Sequence, residues 1–148
     1  MVLNIMTGLV SAHSGLRYIV LALLLAAIFR AFSKKGSYPE SARKLNLFTL
    51  IATHTQILIG LVLYFTSEKV RFVEDMMSDT FSRFFAVEHI FGMILAAVLI
   101  TIGHSKSKKV DAPEAKNKKI ALFYTIALIL ILASIPWPFR EVLGGKWF

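Results

Sequence analysis

The sequence predicts an all-α protein, a four-helix antiparallel transmembrane bundle with both termini outside. Three observations predict it. Of 148 residues, 56% are hydrophobic, against about 45–50% in an ordinary soluble domain, and the mean hydropathy is +0.65. The apolar excess is gathered in four runs, each close to the ~20 residues that cross a bilayer core. The basic residues cluster between runs one and two (Lys34, Lys35, Arg43, Lys44) and between runs three and four (Lys106, Lys108, Lys109, Lys116, Lys118, Lys119). The opposite side carries Glu68, Glu74, Asp75 and Asp79. That asymmetry is the positive-inside pattern. It explains the net charge of +8 as a topology signal with some attraction to anionic lipid, and speaks against nucleic-acid binding.

Residues 1–148 form a single domain. The first span, Leu9–Phe32, takes in Leu3–Met6 as an optional extra turn and ends at Arg30, Lys34 and Lys35. No basic residue precedes Arg17, so it reads as a span rather than a cleaved signal. Gly36 and Pro39 interrupt the helix, and Ser41 is a candidate cap for the second span, Leu45–Thr66. Residues 67–83 mix Val70, Phe72, Val73, Met76 and Met77 with charges, the pattern of an outer loop with a short helix at the interface. The third span is Phe84–Gly103. A solvated, flexible loop, Ser105–Lys119, precedes the fourth span, Ile120–Trp137, which the Pro136-Trp137-Pro138 sequence ends. Trp137, Phe139, Trp147 and Phe148 suit the outer headgroup belt, and the short loops favour an antiparallel bundle.

Ionisable side chains inside a membrane are costly and mark function. His13 and His89 lie near the outer ends of spans one and three, both roughly 6–12 Å deep at ~1.5 Å rise per residue. Spans one and three are diagonal partners in the simplest up-down bundle, so their imidazoles can meet across its axis as the two axial ligands of a haem iron. Gly92, Met93 and Ala96 share the His89 face, Gly60 reaches the same level on span two, and Ser11, Ser14 and Gly15 keep span one thin. These small residues leave space for a flat macrocycle, although helix packing is their commoner role in membranes. Arg17, one turn below His13, is a candidate for a haem propionate or for pairing with Glu88. Arg140, Arg83 and Arg71 lie near the outer boundary, and Arg140 is a second propionate candidate or a C-terminal anchor.

His54, Thr55 and Gln56 form a mid-membrane polar cluster. It reads as an interhelical hydrogen-bond knot, a quinone or proton site, or an alternative haem ligand. His104 reads as an interfacial helix-end residue. The absence of cysteine excludes disulfides, c-type haem attachment and cysteine-ligated clusters. A structural zinc site wants four ligands, and His13, His89 and Glu88 make an incomplete set.

Three segments, Ala12-His13-Ser14-Gly15-Leu16-Arg17-Tyr18, His54-Thr55-Gln56-Ile57-Leu58-Ile59-Gly60 and Glu88-His89-Ile90-Phe91-Gly92-Met93, resemble small bacterial four-helix integral membrane b-type cytochromes. So does the C-terminal Ile135-Pro136-Trp137-Pro138-Phe139-Arg140. A more distant likeness is to one half of haem A synthase, whose ligating histidines would fall on His13 and His89 with Gln56–Gly60 between. Val10 stands where that family has a Glu, and Ser14 follows His13 where it has an Arg. The resemblance implies haem b, with His13 and His89 as iron ligands, in the bacterial inner membrane.

The sequence thus points to electron transfer through bis-histidine haem b near the outer face, exchanging with a quinol pool or a membrane or periplasmic redox protein. Two other readings stand beside it. One is a haem-modifying or quinol-oxidising enzyme on the same site; the other is a cofactor-free accessory or assembly subunit in which the histidines serve assembly alone.

Overall fold

The computed structural model describes residues 2–147, with side chains from Ile5 onward. Four long helices, α1 (Val2–Ser33), α2 (Glu40–Thr66), α3 (Thr80–Lys108) and α4 (Pro113–Ser134), are followed by a 3-10 turn at Glu141–Leu143. Among the described residues there is no strand. All four helices are long and apolar enough to cross a membrane.

Each end has a local cause. Arg30 lies in the last turn of α1 and Lys106 and Lys108 in that of α3, where cations favour the negative end of the helix dipole. Pro39 stands at the N-cap of α2, with Glu40 in its first turn; Ser41 lies inside the helix and is not its cap. Asp79 caps α3, accepting from the Ser82 N–H at 2.8 Å. Pro113 opens α4 at a position where its missing N–H costs nothing.

The helices overrun the apolar spans because charged residues extend them beyond the hydrocarbon. The supposed flexible loop Ser105–Lys119 is thereby corrected. All but residues 109–112 of it is helical, since Lys106, Lys108, Lys116 and Lys118 favour helix as well as water. At the other end, α4 stops at Ser134, three residues before the boundary read from the sequence. The loop between α2 and α3 carries turns but no separate helix, and its last residues start α3.

Helix α1 packs on α2 and α4, and α3 packs on the same two, so α1 and α3 face each other across the diagonal. Polar contacts tie the helix ends together. Asn117 of α4 donates to the carbonyls of Lys34 and Lys35 at 2.9 Å, and Arg30 donates to Ser37 at 3.0 Å. Tyr64 of α2 donates to Ala86 of α3 at 2.9 Å.

The core comprises Leu21, Leu24, Ala27 and Ala31 of α1, Ala96 and Ile100 of α3, and Ile120, Ala121, Tyr124, Ala127 and Ile131 of α4, with Ile135 beyond. Helix α2 instead buries Ala42, Asn46, Thr49 and Thr53. Large apolar side chains point outward: Phe29, Phe65 and Phe91 are 74%, 79% and 68% exposed. Small and polar groups inside with large apolar groups outside is the order expected where the solvent is lipid. The chain is a multi-pass membrane protein.

Candidate functional site

His13 is fixed from α2. A Cβ on Gly60 would come within 3.0 Å of His13 Cε1, so the ring lies almost against the α2 backbone. One turn earlier, Gln56 Nε2 donates to the His13 carbonyl at 2.8 Å. Gly60 therefore admits the imidazole itself, where the sequence had suggested a porphyrin edge.

His89 follows a π-helical turn, Phe84–Glu88, whose widened backbone closes with the His89 N–H on the Phe84 carbonyl. Such an inserted residue rotates the side chains that follow it and recurs at functional sites. His89 Nδ1–H donates to the Ser134 carbonyl of α4 at 2.7 Å. A carbonyl can only accept, so this bond fixes the tautomer and leaves Nε2 with its lone pair. Phe84 and Phe85 flank the ring at 5.9 and 6.4 Å.

The two imidazoles meet across the diagonal with centroids 6.3 Å apart and planes at 71°. Metal–imidazole bonds run about 2.0–2.1 Å, which puts two rings on opposite sides of one ion about 6–6.5 Å apart, centre to centre. The observed spacing fits that arrangement. Among the described residues no three His, Asp or Glu side chains come together as a metal cluster, whereas a protein-held zinc needs three or four ligands.

Both histidines line a pocket walled mainly by apolar side chains, including Ile57, Leu61, Phe85, Ile90 and Met93. Five buried side-chain polar atoms lack a hydrogen-bond partner among the described residues, and three belong to this wall: His13 Nδ1, Arg17 Nε and Gln56 Oε1. Buried polar groups are nearly always satisfied, so three orphans around one cavity suit a polar-bearing ligand.

The rim is cationic. Arg17 Nη2 donates to the carbonyls of Lys146 and Trp147 at 2.9 and 2.6 Å, and Tyr18 donates to the latter at 2.7 Å. The tail reaches them by folding over the end of α4, where a Cβ on Gly145 would overlap the Pro136 carbonyl. Lys69, from the outer loop, also lines the pocket, with Nζ 5.3 Å from the Phe85 ring centre. Burial, and then the nearby Lys146, push its amine below the ordinary lysine range. Among the described residues, no acidic one lines the cavity.

The other sequence candidates lie apart. Glu88 pairs with Arg83 at 2.7 Å, not with Arg17. Arg140 sits over Phe84, 4.8 Å from its centre, and donates to Ala133 at 3.3 Å, outside the pocket. A Cβ on Gly92 would overlap Ser134 Oγ; this glycine gives its space to α4 rather than to a macrocycle. His54 is exposed, with Nδ1 on its own Leu50 carbonyl at 2.8 Å and Nε2 3.4 Å from Thr101, and does not join the pair. That is the hydrogen-bond reading of the His54 cluster, except that Gln56 turns the other way, to His13. His104 is buried, with Nδ1 unpartnered. Trp137 stacks on Phe139 at 6.0 Å and lies 6.3 Å from Trp147, an aromatic cluster beyond the end of α4; Phe148 lies outside the described residues.

Sequence reasoning missed Lys69, the π turn and the Ser134 carbonyl. The last had a signal in the spacing of Pro136 and Pro138. Compared with known protein families, curated proteins and solved structures, this chain matches none.

Proposed function

We propose that this protein is a membrane b-type cytochrome, in which His13 and His89 hold one haem b near the outer face of an antiparallel bundle for electron transfer. The observation that carries the reading is the 6.3 Å spacing of two imidazoles on diagonal helices, in an apolar pocket with cations at its rim. His13 and His89 would hold haem b, which would supply a one-electron carrier there. Gly60 seats the His13 ring, and Gln56 ties its helix to α2. The Ser134 carbonyl orients His89, the outer-shell partner that ligating histidines ordinarily have. Arg17 and Lys69, at the pocket rim, would balance the carboxylates of such a group. The two basic loops favour a cytoplasmic side for themselves and hence outside termini, and the resemblance to small bacterial membrane cytochromes supports a bacterial inner membrane. A quinol or a periplasmic or membrane redox protein is the exchange partner that an outer-face haem would meet.

The test is spectroscopic. Protein purified in mild detergent after expression with ample haem should show sharp reduced-minus-oxidised b-type bands, with one haem per chain by pyridine haemochrome. His13→Ala and His89→Ala should each abolish them, and His54→Ala should not. Wild-type protein without bands would overturn the proposal, and loss with His54→Ala alone would move the site.

A further inference from the structure

The turn after α4 frees three successive carbonyls. In an α-helix the carbonyl of residue i accepts from the N–H of residue i+4. For Leu132 and Ser134 those positions are Pro136 and Pro138, neither of which has an N–H. For Ala133 it is Trp137, whose N–H turns instead to Ile135 at 2.9 Å. Each freed carbonyl is met by a side chain. The Trp137 indole donates to Leu132 at 2.8 Å, Arg140 to Ala133 at 3.3 Å, and His89 to Ser134 at 2.7 Å. The first two donors belong to the turn itself, and only the third crosses to another helix.

We infer that this Pro-Trp-Pro turn is a positioning device for His89. It presents the Ser134 carbonyl as a fixed acceptor that holds the imidazole in its Nδ1–H tautomer and keeps Nε2 as the ligating nitrogen. Gly92, one helical turn after His89, sets the distance, since any Cβ there would overlap Ser134 Oγ and lie 3.0 Å from Ser134 Cβ. Pro138, Ser134 and Gly92 are thus positioning residues that act on the site through backbone geometry. Ligation by Nε2 rests on the haem reading; the tautomer lock is a property of the chain alone.

The experiment separates the two. In haem-free protein carrying 15N-labelled histidine, His89 should show a single Nδ1–H tautomer. Gly92→Ala should mix the tautomers, and Gly92→Ala with Ser134→Gly, which restores space while keeping the carbonyl, should recover the single form. Should Gly92→Ala not fold, Pro138→Ala gives the chain an N–H that competes for the same carbonyl, and should mix the tautomers too. In haem-loaded protein Gly92→Ala should weaken haem binding by about 10–100-fold, the usual cost of losing an outer-shell partner, and raise the midpoint potential; the double variant should reverse both. A folded Gly92→Ala protein with an unchanged tautomer and potential would refute the device. If wild-type protein takes no haem while the lock and its loss are both seen, the cytochrome reading falls and the positioning of His89 stands.

Discussion

Gly60→Ala probes the seat of His13. The added methyl would stand 3.0 Å from Cε1, 3.7 Å from Nδ1 and 3.8 Å from Nε2 of the imidazole, whereas carbon atoms sit best about 3.5–4.0 Å apart. The ring must retreat from α2 by about 0.5–1 Å, which disturbs the spacing that suits two ligands of one ion. Overpacking of this size costs about 1–3 kcal/mol. Falling on the haem-bound form, that is roughly 5- to 150-fold in haem affinity. Helix propensity works the other way, since alanine within a helix is better than glycine by about 0.8–1.0 kcal/mol, so the haem-free bundle should not suffer. Gly15→Ala is the matched control: it makes the same propensity gain, and its Cβ would meet nothing within 4 Å. The assay is titration of haem into apoprotein in detergent, followed by absorbance, with helicity measured alongside. Equal haem affinity in the two variants would refute the idea that contact with the α2 backbone sets the His13 position.

The remaining expectations are briefer. Arg17→Gln and Lys69→Gln should each weaken haem binding by roughly 3- to 10-fold and make it less salt-sensitive; a charge-assisted bond is worth ~1.5–3 kcal/mol when buried, and less at an open rim. Leu24→Ala, at a fully buried core position, should cost about 2–5 kcal/mol of bundle stability and also weaken haem binding from eleven residues away; normal affinity in a thermally weakened protein would show that the core does not set the site. The Asp79 carboxyl is held below its ordinary value by hydrogen bonds from Ser82, side chain first. Its cap on α3 is therefore complete above the unfolded carboxyl pKa and is lost as pH falls through the lower folded value, which a drop in amide protection at Ser82 and Arg83, relative to their intrinsic exchange rates, would report. Because the chain has no cysteine, Lys35→Cys and Lys109→Cys should react with impermeant thiol reagents from the cytoplasmic side only, and Ser78→Cys from the other.

The number and order of the helices were legible because a bilayer imposes long apolar runs and sorts lysines by side. Helix ends were less so. The lysines flanking Ser105–Lys119 serve water and helix equally well, and hydropathy registers only the water. His13 and His89 could be paired from depth alone. Their environments could not, because glycine reads the same whether it admits a porphyrin, an imidazole or a neighbouring helix. Gly60 and Gly92 proved to be the second and third of these. Arg17 and Glu88 looked like partners by depth, yet Arg83, five residues before Glu88, reaches it across the π turn. Non-local contacts of this kind, Lys69 among them, depend on how the outer loop and the C-terminal tail fold back, and no periodicity encodes that.

The bundle divides along its length into two unlike halves. Most of the core cluster lies toward the basic loops, from Leu21 to Ala31, Ala96 to Ile100 and Ile120 to Tyr124, while Ala127, Ile131 and Ile135 carry it along α4 toward the other end. The pocket takes the other half, from Val10 to Arg17, Gln56 to Tyr64 and Phe85 to Ile94. A packed half fixes where four helices stand, because close-packed side chains resist small displacements. The open half inherits that spacing without filling it, and Gly60, the π turn and the Ser134 carbonyl then set two rings against it. A site held this way costs little reorganisation when a ligand arrives. This arrangement also accounts for the placement of polar groups on α2. Asn46, Thr49 and Thr53 are buried in the packed half, with the Thr hydroxyls bonded to their own helix at 2.9 and 2.8 Å, so they demand nothing of the site. Gln56, at its edge, reaches across to the His13 carbonyl of α1.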